Sequence, residues 1–127
     1  MRDSSLYIRD IIAAISSITA FIGEMDFTAF SSDDKTQSAV IRKLEIIGEA
    51  VKQMPDDVRR QYPDIPWKQI AGMRDKLIHF YFGVDTNLIW QTVHNRLPAL
   101  KTTLLQHLDD MALDNDRVTR VPSSKAP

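Results

Sequence analysis

Apolar residues recur at helical spacing along almost the whole of this chain, and no stretch alternates with the period of a strand. Leu6, Ile8, Ile11, Ile12, Ile15, Ile18, Thr19 and Ile22 form the first stripe. They predict a helix from about Asp3 to Gly23, capped by Asp3 or Ser4 and stopped by Gly23. Val40, Leu44, Ile47, Val51 and Met54, widened by Ile41, Gly48 and Ala50, predict a second helix from about Asp34 to Met54, which Pro55 ends. Between them, Phe27 and Phe30 stand among turn formers. That segment reads as a connection whose aromatics fold back onto the bundle, with Ser31, Ser32 or Asp33 capping the second helix. Pro55 to Gln61 suits a short turn of helix, and Tyr62-Pro-Asp-Ile-Pro-Trp67 is too proline-rich to continue it. A third helix runs from Pro66 or Trp67 to about Phe82, ended by Gly83. Asp85 caps a fourth, Thr86 to about Leu113, which Pro98 should kink or restart. Residues 1–113 thus form one all-α bundle of four main helices, largely antiparallel because the loops are short. Residues 114–127 have little left to bury and read as a frayed tail.

At 127 residues the chain is long enough for one sizeable core. Its net charge of −1 argues against strong non-specific nucleic-acid binding, though not against a local basic patch. Cysteine is absent, which excludes disulfides, thiolate metal sites and cysteine nucleophiles and fits a reducing cytoplasm. No apolar run approaches the ~18 residues of a membrane span, and the first residues mix acids with an amphipathic pattern unlike a signal peptide. A cytoplasmic protein with no membrane partner is the expectation.

One residue breaks the pattern of the third helix. Arg74 falls on the stripe made by Ile70, Met73, Leu77, Ile78 and Tyr81, where an aliphatic side chain belongs. A guanidinium cannot shed its charge, so a carboxylate, a water-filled cleft or a phosphate must meet it. His79 and Tyr81 lie a little further on. At ~100° per residue, Tyr81 shares the azimuth of Arg74, whereas His79 lies roughly 140° away. One straight helix therefore makes no compact three-residue site. Either the helix loosens before Gly83, or two copies of the segment meet. Glu45 and Glu49 lie on the far side of the second helix's stripe, either as a solvated face or with one of them turned towards Arg74.

Other chemistries find little support. His79, His94 and His107 lack the spacing of a metal site, and His94 and His107 read as surface or boundary residues. No metal or cofactor is expected. Neither a glycine-rich phosphate loop nor a nucleophile elbow is present. Arg74, His79 and Tyr81 each have a plain structural explanation: a paired arginine, a satisfied histidine, a tyrosine at the rim. Together they are what a metal-free ribonuclease needs. A histidine can take the 2′-hydroxyl proton or protonate the leaving oxygen. An arginine can stabilise charge on the phosphoryl oxygens, and a tyrosine hydroxyl can donate to phosphate or accept a transferred group.

Arg74-Asp-Lys-Leu-Ile-His79-Phe-Tyr81 resembles the R-x4-H-x-Y signature of the HEPN superfamily. The surroundings resemble its HepT branch (DUF86): Arg42-Lys-Leu-Glu-Ile-Ile-Gly-Glu-Ala50, Tyr62-Pro-Asp-Ile-Pro-Trp67, Gly72-Met-Arg74, Tyr81-Phe-Gly-Val84 and Ile89-Trp90 occur in the same order. The likeness spans roughly Leu6 to Leu108. It implies a four- to five-helix bundle that forms a homodimer with the two motifs facing each other, so that Arg74 of one chain completes a site with His79 of the other. It implies a toxin that cleaves RNA without a metal. Its implied partner is an MntA-type nucleotidyltransferase antitoxin that silences it by transferring AMP from ATP onto Tyr81. The roles expected are Arg74 and His79 in catalysis, Arg74, Lys76 and Tyr81 in holding RNA phosphate, and Tyr81 as the site of AMPylation. Two rivals stand beside this reading. In one, the bundle is a non-catalytic partner and substrate of the nucleotidyltransferase; in the other, Arg74 pairs with Glu45 or Glu49 for stability alone.

Overall fold

The computed structural model describes residues 4–78 and 85–124, with side chains as far as Asp114 other than those of Arg74, Leu77 and Ile78. All regular structure among them is helical: α1 (Ser4–Ile22), α2 (Phe27–Ser31), α3 (Asp34–Lys52), α4 (Asp56–Gln61), α5 (Trp67–Ile78), α6 (Thr86–Asn95) and α7 (Leu97–Ser124). The expected all-α bundle is what forms. Helix α3 lies at its centre, packed most extensively on α1 and then on α5, while α7 packs against α1 and α6. Tyr7 near the start of α1 shares a groove with Gln53 just past the end of α3. Ser17, further along α1, shares one with Lys43 in the first half of α3. The two helices therefore run antiparallel.

The stripes read from the sequence are the core. Ile8, Ile11, Ile15, Ile18 and Ile22 of α1 meet Val40, Leu44, Ile47 and Val51 of α3, with Ile89, Leu97, Leu100 and Leu104 closing the far side. Helix α1 corrects one expectation, being long and apolar enough to cross a membrane by length and composition. Alanines, serines and threonines between its isoleucines dilute the charge of Arg9 and Asp10, and its isoleucine stripe is spent on the core.

Helix ends obey local chemistry. Gly23 adopts φ 53°, the left-handed conformation that lets α1 stop, and its N–H donates to the Thr19 carbonyl at 3.0 Å. Asp33 caps α3 by accepting from the Thr36 N–H at 2.9 Å, a bond that holds its carboxyl below the ordinary value. Asp85 caps α6 in the same way through the Leu88 N–H at 3.0 Å. The long fourth helix of the sequence reading is in fact α6 and α7, parted at Arg96. Pro98 sits in the first turn of α7, where its missing N–H costs nothing. Helical backbone then continues to Ser124. Leu113 is 59% exposed, and the helix runs on past it.

The connection before α3 contains a helix of its own. Asp26 starts α2 by accepting from the Ala29 N–H at 2.8 Å, and Phe30 is fully buried. Gln37, buried on α3, donates through Nε2 to the carbonyls of Phe30 (2.8 Å) and Ser31 (3.1 Å), and its Oε1 accepts from the Thr86 hydroxyl at 3.4 Å. One amide thus ties α2, α3 and α6 together. Phe30 also meets the Trp90 ring at 5.3 Å between centroids, with Phe27 edge-on to the same ring at 5.8 Å. Phe30→Ala should lower unfolding free energy by ~3–5 kcal/mol, the range for emptying a buried aromatic site. Phe27→Ala, with its ring 40% exposed, should cost far less. Denaturant titration of the two variants checks the contrast.

Candidate functional site

Helix α5 carries the motif, and the loop before it fixes where α5 begins. The Trp67 indole Nε1 donates to the Tyr62 carbonyl at 3.0 Å, folding Tyr62–Trp67 into a tight bend ahead of the first turn. Trp67, Ile70 and Met73 are buried, which seats one face of α5 on the bundle core. Arg74 therefore has its backbone in a packed helix, one residue beyond a core methionine. Its side chain lies outside the described residues, as do His79 and Tyr81 and the expected end of the helix at Gly83.

Lys76 is exposed and borders a cleft of about 110 Å³ between α5 and α6. Ile70 and Met73 line the cleft from α5, Leu88 and Thr92 from α6, and Gln69 and Arg96 stand at its edge. Arg96 occupies the break between α6 and α7 and donates from Nη1 to Gln69 Oε1 at 2.5 Å. Among the described residues no carboxylate forms an ion pair with Lys76 or Arg96. The cleft thus presents two cations beside an apolar floor. Sequence reasoning singled out Lys76 but missed Gln69 and Arg96, because no local pattern says that α6 lies alongside α5.

The expected approach of Glu45 or Glu49 to Arg74 falls on a side chain outside the described residues. Glu45 receives Arg42 at 3.4 Å, and both border a groove of about 290 Å³ between α1 and α3 with Glu49, Tyr7 and Asp10. Arg42, one turn earlier on the same helix, is the cation that Glu45 meets, in an exposed pair of the kind that adds little stability.

His94 is exposed as expected and stacks on Trp90 with centroids 4.0 Å apart. His107 is a correction, because it is buried, not a surface or boundary residue. It falls on the inward stripe of α7 between Leu104 and Leu108, and its Nδ1 is 2.9 Å from the Tyr62 hydroxyl. That hydrogen bond, with the rings edge to face at 5.3 Å, satisfies the imidazole where a bare polar group would be costly. Burial pushes the Tyr62 hydroxyl above its ordinary value, and the charge of Asp110 adds to the effect. The pair anchors the bend before α5 to α7.

Comparison with known proteins bears directly on this segment. The family described as "Ribonuclease HepT-like" matches residues 11–106, which include α5, α6 and the whole motif. "Probable ribonuclease HepT" of Thermococcus cleftensis is 55% identical over 95 residues, 75% of this chain and 86% of that protein. "Putative RNase MJ0125" of Methanocaldococcus jannaschii is 44% identical over 110 residues, 87% of this chain and 95% of that protein. "Putative RNase TTE0752" of Caldanaerobacter subterraneus subsp. tengcongensis is 41% identical over 101 residues, 80% and 90% of the respective chains. No solved structure matches the chain. With most of its length matched by the family and by relatives of this identity, the chain belongs to the ribonuclease HepT-like family.

Proposed function

We propose that this protein is an endoribonuclease, metal-independent and cytoplasmic, and the toxin of a HEPN/MNT (type VII) toxin–antitoxin pair. The observation that carries the reading is the intact Arg74-x4-His79-x-Tyr81 motif, whose Arg74 backbone lies in a core-packed helix, inside the family-matched segment. His79 takes the proton from a ribose 2′-hydroxyl, or delivers one to the departing 5′-oxygen. The freed 2′-oxygen bonds to phosphorus as the bond to the 5′-oxygen breaks. Arg74 faces the phosphoryl oxygens as their charge builds, and Lys76 and Tyr81 hold the phosphate. A homodimer brings the two motifs together and supplies from two chains the geometry that one helix denies. It also doubles the local cations of a chain whose net charge is only −1.

Attack by a neighbouring hydroxyl dictates the products. Fragments should end in 2′,3′-cyclic phosphate and begin with 5′-hydroxyl, formed equally well in the presence of a chelator. Mass spectrometry of cleaved oligoribonucleotides reads the ends directly. Fragments bearing 3′-hydroxyl and 5′-phosphate would overturn this route.

A further inference from the structure

We propose that the cleft between α5 and α6 is a nucleotide subsite that holds one keto base, uracil or guanine, of the RNA. The inference rests on the ribonuclease reading for its substrate and on the cleft's own chemistry for its specificity. Ligand pockets for drug-sized molecules run from ~300 Å³ upward. At about 110 Å³ this one has room for a single ring system rather than a whole cofactor. Its floor of Ile70, Met73 and Leu88 suits the flat face of a base.

The polar rim is almost wholly donating. Lys76 carries only N–H donors, and Arg96 keeps most of its five after one is given to Gln69. Because Gln69 Oε1 already accepts from Arg96, its amide offers Nε2 to a ligand. The Thr92 hydroxyl is the exception, spending its proton on the Leu88 carbonyl at 2.7 Å and so remaining an acceptor, whereas Lys76, Arg96 and Gln69 all donate. Donors of this kind pair with the carbonyl oxygens of uracil and guanine. Adenine and cytosine place an exocyclic amine at the corresponding edge, which would leave those donors facing another donor. The cations add a seat for the nucleotide's phosphate.

Nucleoside 5′-monophosphates test the cleft without requiring catalysis. Titration into protein labelled at its methionine methyls should shift the Met73 signal saturably with UMP and GMP, and ~tenfold more weakly with CMP and AMP. Inorganic phosphate alone should leave that methyl in place. Arg96→Ala and Gln69→Ala remove exposed side chains, so circular dichroism should be unchanged while UMP affinity falls ~tenfold. With RNA, the same variants should raise KM by a similar factor, keep kcat, and lose the preference for substrates that carry keto bases. A Met73 methyl blind to all four nucleotides, or equal UMP affinity in Arg96→Ala, overturns the subsite. RNA cleavage by both variants with wild-type KM and base preference also overturns it and leaves the ribonuclease reading standing. Nucleotide binding as described in a protein that cuts no RNA has the opposite meaning: the subsite holds and the ribonuclease reading falls.

Discussion

Replacing His79 by alanine should reduce RNA cleavage by ~10²–10⁴-fold, the usual contribution of a positioned general acid or base, while the melting temperature holds. The two readouts separate chemistry from scaffold. If the motif served stability alone, the activity lost would track the stability lost. Measured across pH, the variant should also lose the limb of the rate profile that His79 provides. Arg74→Ala should cripple the enzyme as well, because charge builds on the phosphoryl oxygens with nothing fixed to meet it. A sharper result comes from mixing the two inactive variants after unfolding and reassembly. Suppose each site takes Arg74 from one chain and His79 from the other. Half of the dimers are then mixed, each with one intact site, and about a quarter of the original activity returns. Sites contained within one chain regain nothing on mixing. Recovered activity thus reports both the dimer and the shared site, whereas full activity in His79→Ala alone would remove histidine from the mechanism.

That experiment is needed because of where sequence periodicity stops being informative. Isoleucines in register mark α1 and α3 without ambiguity, since a helical stripe has one energetically sensible place, against another stripe. Caps are legible too, Asp85 singly and Asp33 as one of three candidates with Ser31 and Ser32, because they act on N–H groups only three residues away. Pro98 announced the break that Arg96 completes. The features that escaped reading depend on partners distant along the chain. Helix α2 is short for independent stability, and it rests on the burial of Phe30 and on Gln37, which no local pattern links to it. His107 reads as a boundary residue until Tyr62, 45 positions away, meets its ring. Arg96 and Gln69 are unremarkable surface residues until α5 and α6 are side by side. The candidate site divides in the same way. Spacing identifies Arg74, His79 and Tyr81 as a set, but the angle between Arg74 and His79 on one helix shows that spacing alone cannot assemble them.

Tyr81 carries the prediction that reaches beyond the single chain. Coexpressed with an MntA-type nucleotidyltransferase and ATP, the protein should gain the mass of one or more AMP units, all of it lost in Tyr81→Phe. The phenolic oxygen would attack the α-phosphorus of ATP, pyrophosphate would leave, and the phenolic proton would pass to solvent or a base on the partner. The consequence for RNA cleavage is electrostatic and steric at once. On the proposed reading, a phosphodiester on Tyr81 would place negative charge beside Arg74, occupying the cation that should meet the scissile phosphate, and the nucleotide would fill the path of the substrate. Tyr81→Phe should therefore keep toxicity in cells, weakened by the lost hydroxyl contact to phosphate, and escape silencing by the partner, because the acceptor oxygen is gone. If Tyr81→Phe instead loses toxicity together with modification, the hydroxyl serves cleavage as well as control, and phosphate binding becomes its principal task. An unchanged mass beside an active partner and ATP would sink the modification mechanism. Inhibition would then have to come from the partner covering the site, and Tyr81→Phe should be silenced as readily as the unaltered protein.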